Sequence, residues 1–285
     1  KNGPSDVVHY SHKGISGMDK KLLIVGNWKM HLNVQQSSLV VHRLHQHVAT
    51  HRTLEIALAP SMLALQPVSL ELDRRRFRLC AQDAYSKDEG PYTGEVSFAM
   101  LDELVHYALV GHSARRLYFN ESLDTVRDKV QAAVRNGVSP IICIGETRQE
   151  RDAGETKQVI HDQITTALMN ITSRDIEKVV VAYEPVWAIS TFDGMVAPPG
   201  EVQKAIDFIR MQIHELYGAK AAATVRVSYG GSVDEYDVHS YLELNGVAGA
   251  LVGAASLNYR QFAAIIDAAH HVQLRRRKTE THGGE

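Results

Sequence analysis

The chain has 285 residues, 44% hydrophobic and 22% charged, with a formal net charge of -2. That length holds one large α/β barrel or two ordinary domains, and it buries a large core. The near-neutral balance gives no electrostatic case for nucleic acid or a membrane surface, no apolar run reaches membrane-span length, and two cysteines without C-x-x-C spacing, Cys80 and Cys143, suit a reduced, cytoplasmic chain.

Residues 1–20, KNGPSDVVHYSHKGISGMDK, are polar, lack the apolar centre of a signal peptide, and read as a flexible extension. From Lys21 onward, strand and helix signals alternate. LLIVGN at 22–27 is the first apolar run, followed by a helix near 35–48. LEIALAP at 54–60 is the second, with a helix to Leu72. FRLCAQ at 77–82 is the third, and it leads into a long polar loop, DAYSKDEGPYTGEVS, whose length points to a function. HYALVGH at 106–112 is the fourth strand, and the next helix, 123–136, stops at Gly137. SPIICIGE at 139–146 is the fifth, with one long helix over 151–169. VVVAYEPVWAIST at 179–191 holds the sixth; its strand stops at Glu184 because Pro185 lacks an N–H and biases its predecessor toward extended geometry. A helix over 201–217 ends at Gly218. TVRVSYGGS at 224–232 is the seventh strand and turn, VAGALVG at 247–253 the eighth, and a last helix runs to about His271. The tail from Leu274, LRRRKTETHGGE, reads as a disordered basic and polar segment, which bounds the folded domain at 21–273.

Eight strand–helix units without a composition break imply parallel pairing, and in this length they fit a closed (β/α)8 barrel better than an open sheet. The polar residues collect just after the strands: Asn27 and Lys29 after the first, His112 and Ser113 after the fourth, Glu146 after the fifth, Glu184 after the sixth, Tyr229-Gly230-Gly231-Ser232 after the seventh, Gly253-Ala254 after the eighth. In a barrel these positions open onto one face. Singly, each has a plainer reading. Lys29 can be a surface lysine, His112 a core histidine bonded to backbone, Gly230-Gly231 a tight turn, and Tyr183 and Cys143 core residues. Together, a carboxylate, an imidazole, an ammonium and two small-residue turns that let backbone N–H groups approach an anion form a constellation.

GNWKMHLN at 26–33, VGHSARRLYFNES at 110–122, CIGET at 143–147, AYEPVWAI at 182–189, YGGSV at 229–233 and LVGAASL at 251–257 resemble, in order, the motifs of the triosephosphate isomerase family. The resemblance covers about 21–271. It implies a single TIM barrel acting on a small phosphorylated sugar, with no metal or organic cofactor. Glu184 is then the base, His112 the neutral electrophile, Lys29 the stabiliser of the anionic substrate with Asn27 beside it, and the backbone N–H groups of Ser190, Ser232, Gly253 and Ala254 the phosphate cradle. It also implies a lid over 185–199 and a homodimer whose docking loop carries Thr93 and Glu95.

The chain departs from the family pattern at several places. Ala114 stands where the pattern has Glu. The lid tip reads Ile189-Ser190-Thr191-Phe192 rather than Ile-Gly-Thr-Gly. Ala254 replaces a glycine, and Asp83 an asparagine. These changes spare the base, the electrophile and the lysine. Three readings stay open at this point: a triosephosphate isomerase with a divergent lid, an isomerase for a four-carbon ketose phosphate such as erythrulose phosphate, and a catalytically weak scaffold relative.

Overall fold

The computed structural model describes residues 21–192 and 194–282, so the extension expected over 1–20 and the last three residues of the tail lie outside the described residues. Eight parallel strands follow the eight apolar runs: β1 (Leu22–Asn27), β2 (Leu54–Ala59), β3 (Arg78–Ala81), β4 (Tyr107–Val110), β5 (Ser139–Ile144), β6 (Val180–Tyr183), β7 (Arg226–Tyr229) and β8 (Val247–Val252). Each pairs with the next, and β1 pairs with β8 through Leu23 opposite Gly249, which closes the barrel. The ladder is regular except for a register shift between Val227 and Tyr229, where β7 meets β8.

Period-two alternation sorts the strand residues into two cores. Leu23, Val25, Ala57, Ala59, Cys80 and Cys143 are among those that fill the barrel interior. Their neighbours Leu22, Ile24, Ile56 and Leu58 face outward and pack under the helices. The helices are α1 (Val34–His47), α2 (Met62–Glu71), α3 (Phe98–Leu101), α4 (Ser113–Tyr118), α5 (Leu123–Arg135), α6 (Arg148–Asp152), α7 (Thr156–Ala167), α8 (Pro199–Thr224), α9 (Val238–Leu242) and α10 (Tyr259–His282). Asn33 starts α1 with a reciprocal capping box, accepting from the Gln36 N–H while Gln36 Oε1 accepts from its own N–H.

Three boundaries correct the sequence reading. The single helix expected over 151–169 is broken at Gly154 into α6 and α7. At Gly218, where a helix end is expected, α8 has one non-helical residue (φ 83, ψ 178) and then resumes to Thr224. The tail expected to be disordered from Leu274 is instead helical as far as His282, because α10 does not stop at His271. The reason lies in its basic cluster. The Arg276 guanidinium donates to the carbonyl oxygens of Val247 (2.9 Å), Leu244 (3.3 Å) and Leu242, and Arg275 pairs with Glu243. Arginines that read as a solvated run find their acceptors on the connection between α9 and β8.

Candidate active site

The carboxylate comes first. Glu184 follows the last residue of β6, and its N–H donates to the Ile144 carbonyl at 2.6 Å, which ties it to the end of β5. Its side chain is 1% exposed. Two glycines make room for it: a Cβ on Gly145 would lie 2.0 Å from the Glu184 carbonyl oxygen, and one on Gly230 would lie 2.7 Å from Glu184 Cγ. Glu184 Oε2 accepts from the Ser113 N–H at 3.3 Å, and Oε1 lies 3.3 Å from His112 Nε2.

His112 caps the N-terminus of α4. Its Nδ1 accepts from the Ala114 N–H at 3.1 Å, so in the neutral ring the proton sits on Nε2, the atom facing Glu184. Burial pushes its proton affinity below the usual histidine range; Glu184 opposes this, and the Lys29 and Arg116 charges add to it. We therefore expect nitrogen NMR of His112 at about pH 6 to show a neutral Nε2–H tautomer, where an unperturbed histidine is mostly protonated. An imidazolium signal there would refute this reading of the ring.

Lys29 sits on a strained turn after β1, with φ 50 in the left-handed region that residues with a Cβ seldom enter. The turn is held from two directions. The Lys29 N–H donates to Asn27 Oδ1 at 3.0 Å, and Gln82 Nε2 donates to the Lys29 carbonyl at 2.8 Å and the Ala59 carbonyl at 2.9 Å. Asn27 thus shapes the turn that aims the lysine. Burial lowers the Lys29 proton affinity, and the Glu184 charge partly restores it.

These side chains share a cavity of about 390 Å³ lined by Asn27, Lys29, His112 and Glu184 together with Ser190, Ser232, Gly253 and Ala254. All eight residues that the sequence places there are brought together. One detail differs from the expectation. The Ser232 N–H, expected to face an anion, donates to the Ala188 carbonyl at 3.0 Å, while Ser232 Oγ is buried without a hydrogen-bond partner among the described residues. Gly253 and Ala254 open a short 3-10 turn over 254–257, closed by the Ser256 N–H donating to the Gly253 carbonyl at 2.9 Å. Thr93 and Glu95 lie apart, exposed on the loop between β3 and α3.

One supporting residue escaped the sequence reading: Gln82, already described, which as a polar residue just past β3 carried the same signal as the others. Glu146, expected at the open face because it follows the fifth strand, takes a supporting place beside Glu184. Its buried carboxylate accepts from Trp187 Nε1 at 2.9 Å and from the Tyr183 hydroxyl at 3.2 Å, and its carbonyl accepts from the Val186 N–H at 3.0 Å. This anchors the segment that leaves Glu184 through Pro185.

A family model described as triosephosphate isomerase matches residues 22–269. The chain belongs to the triosephosphate isomerase family. It is 37% identical over 256 residues to the triosephosphate isomerase of Clostridium tetani, covering 90% of this chain and 99% of that protein. It is 39% identical over 248 residues to the triosephosphate isomerase of Carboxydothermus hydrogenoformans (87% and 98% covered), and 37% identical over 252 residues to that of Chloroherpeton thalassium (88% and 99%).

Against the triosephosphate isomerase pattern, two of this chain's departures have clear local consequences. Asp83 enters an ion cluster: Lys129 Nζ donates to Asp83 Oδ1 and Oδ2 at 2.7 and 2.8 Å, Arg115 Nε lies 2.9 Å from Asp83 Oδ2, and both cations also pair with Glu121. Two carboxylates and two cations balance, so the added acid is compensated within the chain. Burial pushes the Asp83 carboxyl above the usual range, against the pull of Lys129. At position 114 a methyl group replaces the carboxylate of the family pattern. Beside it, the Arg116 guanidinium donates to the Cys143 and Gly145 carbonyls, both at 3.3 Å.

Proposed function

We propose that this chain interconverts dihydroxyacetone phosphate and glyceraldehyde 3-phosphate by proton transfer through an enediolate. The observation that carries this is the approach of Glu184 Oε1 to within 3.3 Å of His112 Nε2 in a cavity that Lys29 also lines. A carbon acid needs a base, a donor for the developing oxyanion and protection from water. Glu184 removes the proton from one carbon and returns it to its neighbour. His112 donates from Nε2–H to the carbonyl oxygen, and its bond from the Ala114 N–H to Nδ1 fixes that polarity. Lys29 neutralises the anionic substrate and the enediolate. Ser190, Gly253 and Ala254 hold the phosphate through backbone N–H groups, and the Ser232 N–H joins them by exchanging the Ala188 carbonyl for a phosphate oxygen. The segment 185–199 closes over the site, moving about an anchor at Trp187 and Glu146.

The test compares kcat/KM for glyceraldehyde 3-phosphate with that for a four-carbon ketose phosphate, since this ratio measures discrimination in the transition state. A higher value for the triose is expected. A higher value for the tetrose would overturn the substrate assignment.

The acting form is a symmetric homodimer, docked through the loop that carries Thr93 and Glu95. That loop is ordered on its own subunit by the Tyr85 N–H donating to the Val96 carbonyl at 2.8 Å and by the Tyr85–Tyr92 ring pair at 4.6 Å. Met30, Leu63, Met100 and Phe119, all in the segments after the first four strands, leave large apolar surface exposed, as an interface requires. Sedimentation at micromolar concentration is expected to give a dimer; a monomer alone would refute it. No helix among the described residues is long and apolar enough to cross a membrane, and Cys80 and Cys143 are free, buried thiols. The free thiols support a cytoplasmic location.

A further inference from the structure

Lys29 carries its charge to the cavity, yet among the described residues no carboxylate pairs with its ammonium. Its hydrogen bond goes to Thr191 Oγ1 at 3.2 Å, far along the chain at the tip of the segment after β6. That tip is a compact turn. The N–H groups of Phe192 and Gly194 both donate to the Ile189 carbonyl, at 2.9 and 3.1 Å. The Phe192 ring stacks on Tyr118 at the end of α4, with centroids 5.8 Å apart and planes inclined by 29°. The turn is thus held from two sides, by the lysine beyond β1 and by α4. Threonine suits this place, because its branched Cβ restricts χ1 and fixes where the hydroxyl oxygen points. A long flexible ammonium is fixed by its acceptor, not by its own stem.

We propose that Thr191 is a positioning residue that holds the Lys29 ammonium at the cavity, and that the Phe192–Tyr118 stack seats the turn carrying it. In a chain with alanine at position 114, the lid tip supplies the acceptor that fixes the lysine. The proposal rests on the reading of Lys29 as the electrostatic group of an isomerase, so its test needs a readout that does not depend on turnover.

That readout is the pH dependence of Lys29 acetylation by acetic anhydride, followed by mass spectrometry on the full chain. In Thr191→Val, which keeps shape and removes the hydroxyl, the ammonium loses its acceptor. Its titration midpoint is expected to fall by about half a pH unit below that of the parent. Triose kcat/KM is expected to fall about fivefold, with KM raised. Thr191→Ser, which keeps the hydroxyl without the branched Cβ, restores both for the most part. Phe192→Leu moves both in the same direction by less. An unchanged midpoint in Thr191→Val, or failure of Thr191→Ser to restore it, overturns the proposal. A shifted and restored midpoint in a protein that turns over no triose upholds the positioning role and overturns the isomerase reading instead.

Discussion

Replacing Glu184 by Gln is expected to lower kcat about 1000-fold while leaving KM within a few-fold of the parent. The carboxamide has the carboxylate's shape, and its oxygen can still accept from the Ser113 N–H. It cannot take a proton from carbon. The groups expected to hold the phosphate, Ser190 six residues further along the same segment and Ser232, Gly253 and Ala254 on two others, do not use the carboxylate, so binding of inorganic phosphate, read by titration calorimetry, should be unchanged. The variant separates two roles that the burial of Glu184 brings into one small space: filling the gap between Gly145 and Gly230, and accepting a proton. Undiminished turnover would remove Glu184 from the chemistry, and, because Gln fills the same gap, a protein that fails to fold would show that the carboxylate itself serves the fold.

The second large effect is on stability. Lys129 is 3% exposed and pairs with both Asp83 and Glu121. Lys129→Met keeps the apolar stem and deletes the charge, leaving two partly buried carboxylates to share Arg115. Removing one partner from a buried ion cluster strands the others, so the expected loss is about 3 kcal/mol. For a chain of this size that corresponds to a fall in Tm of roughly 6–12 °C. The pH dependence has a definite sign. Asp83 holds its proton more tightly folded than unfolded, so its contribution favours the fold below the ordinary carboxyl range and is lost as pH rises through the raised folded value. Without Lys129 that value rises further. The deficit of the variant should therefore be widest at neutral pH and narrow on acidification. A deficit of the same size at every pH would mean that lost packing, not stranded charge, causes it.

The barrel was legible because its signals are local. Each strand is an apolar run buried on both faces, and Pro185 marks the end of β6 within one residue. The candidate site residues were legible for a related reason: a polar residue just past such a run has nowhere to go but the open end of the barrel. What sequence could not show were partners contributed from afar. Arg276 reads as a solvated charge until the carbonyls before β8 are in place. The Ser232 N–H reads as free until Ala188 is found against it, and Asp83 reads as an added charge until Lys129 arrives from α5. Thr191 gave no signal at all, since its contact with Lys29 exists only once the first and sixth strands stand in one ring.

The closing pair of strands has a consequence for how the protein is made. Lys29 lies just past the first strand of the barrel to be synthesised, whereas Gly253 and Ala254 lie past the barrel's last. Leu23 cannot meet Gly249 until nearly the whole barrel has been synthesised. Until then β1 presents one unpaired edge to the cell, with β2 covering only the other. A nascent chain in that state is a template for stray pairing, and the contact that closes the ring also brings Gly253 and Ala254 to the candidate site. The enzyme can therefore acquire activity only once its eighth strand has been made, and conditions that slow synthesis of that stretch should cost yield before they alter the turnover of the molecules that fold.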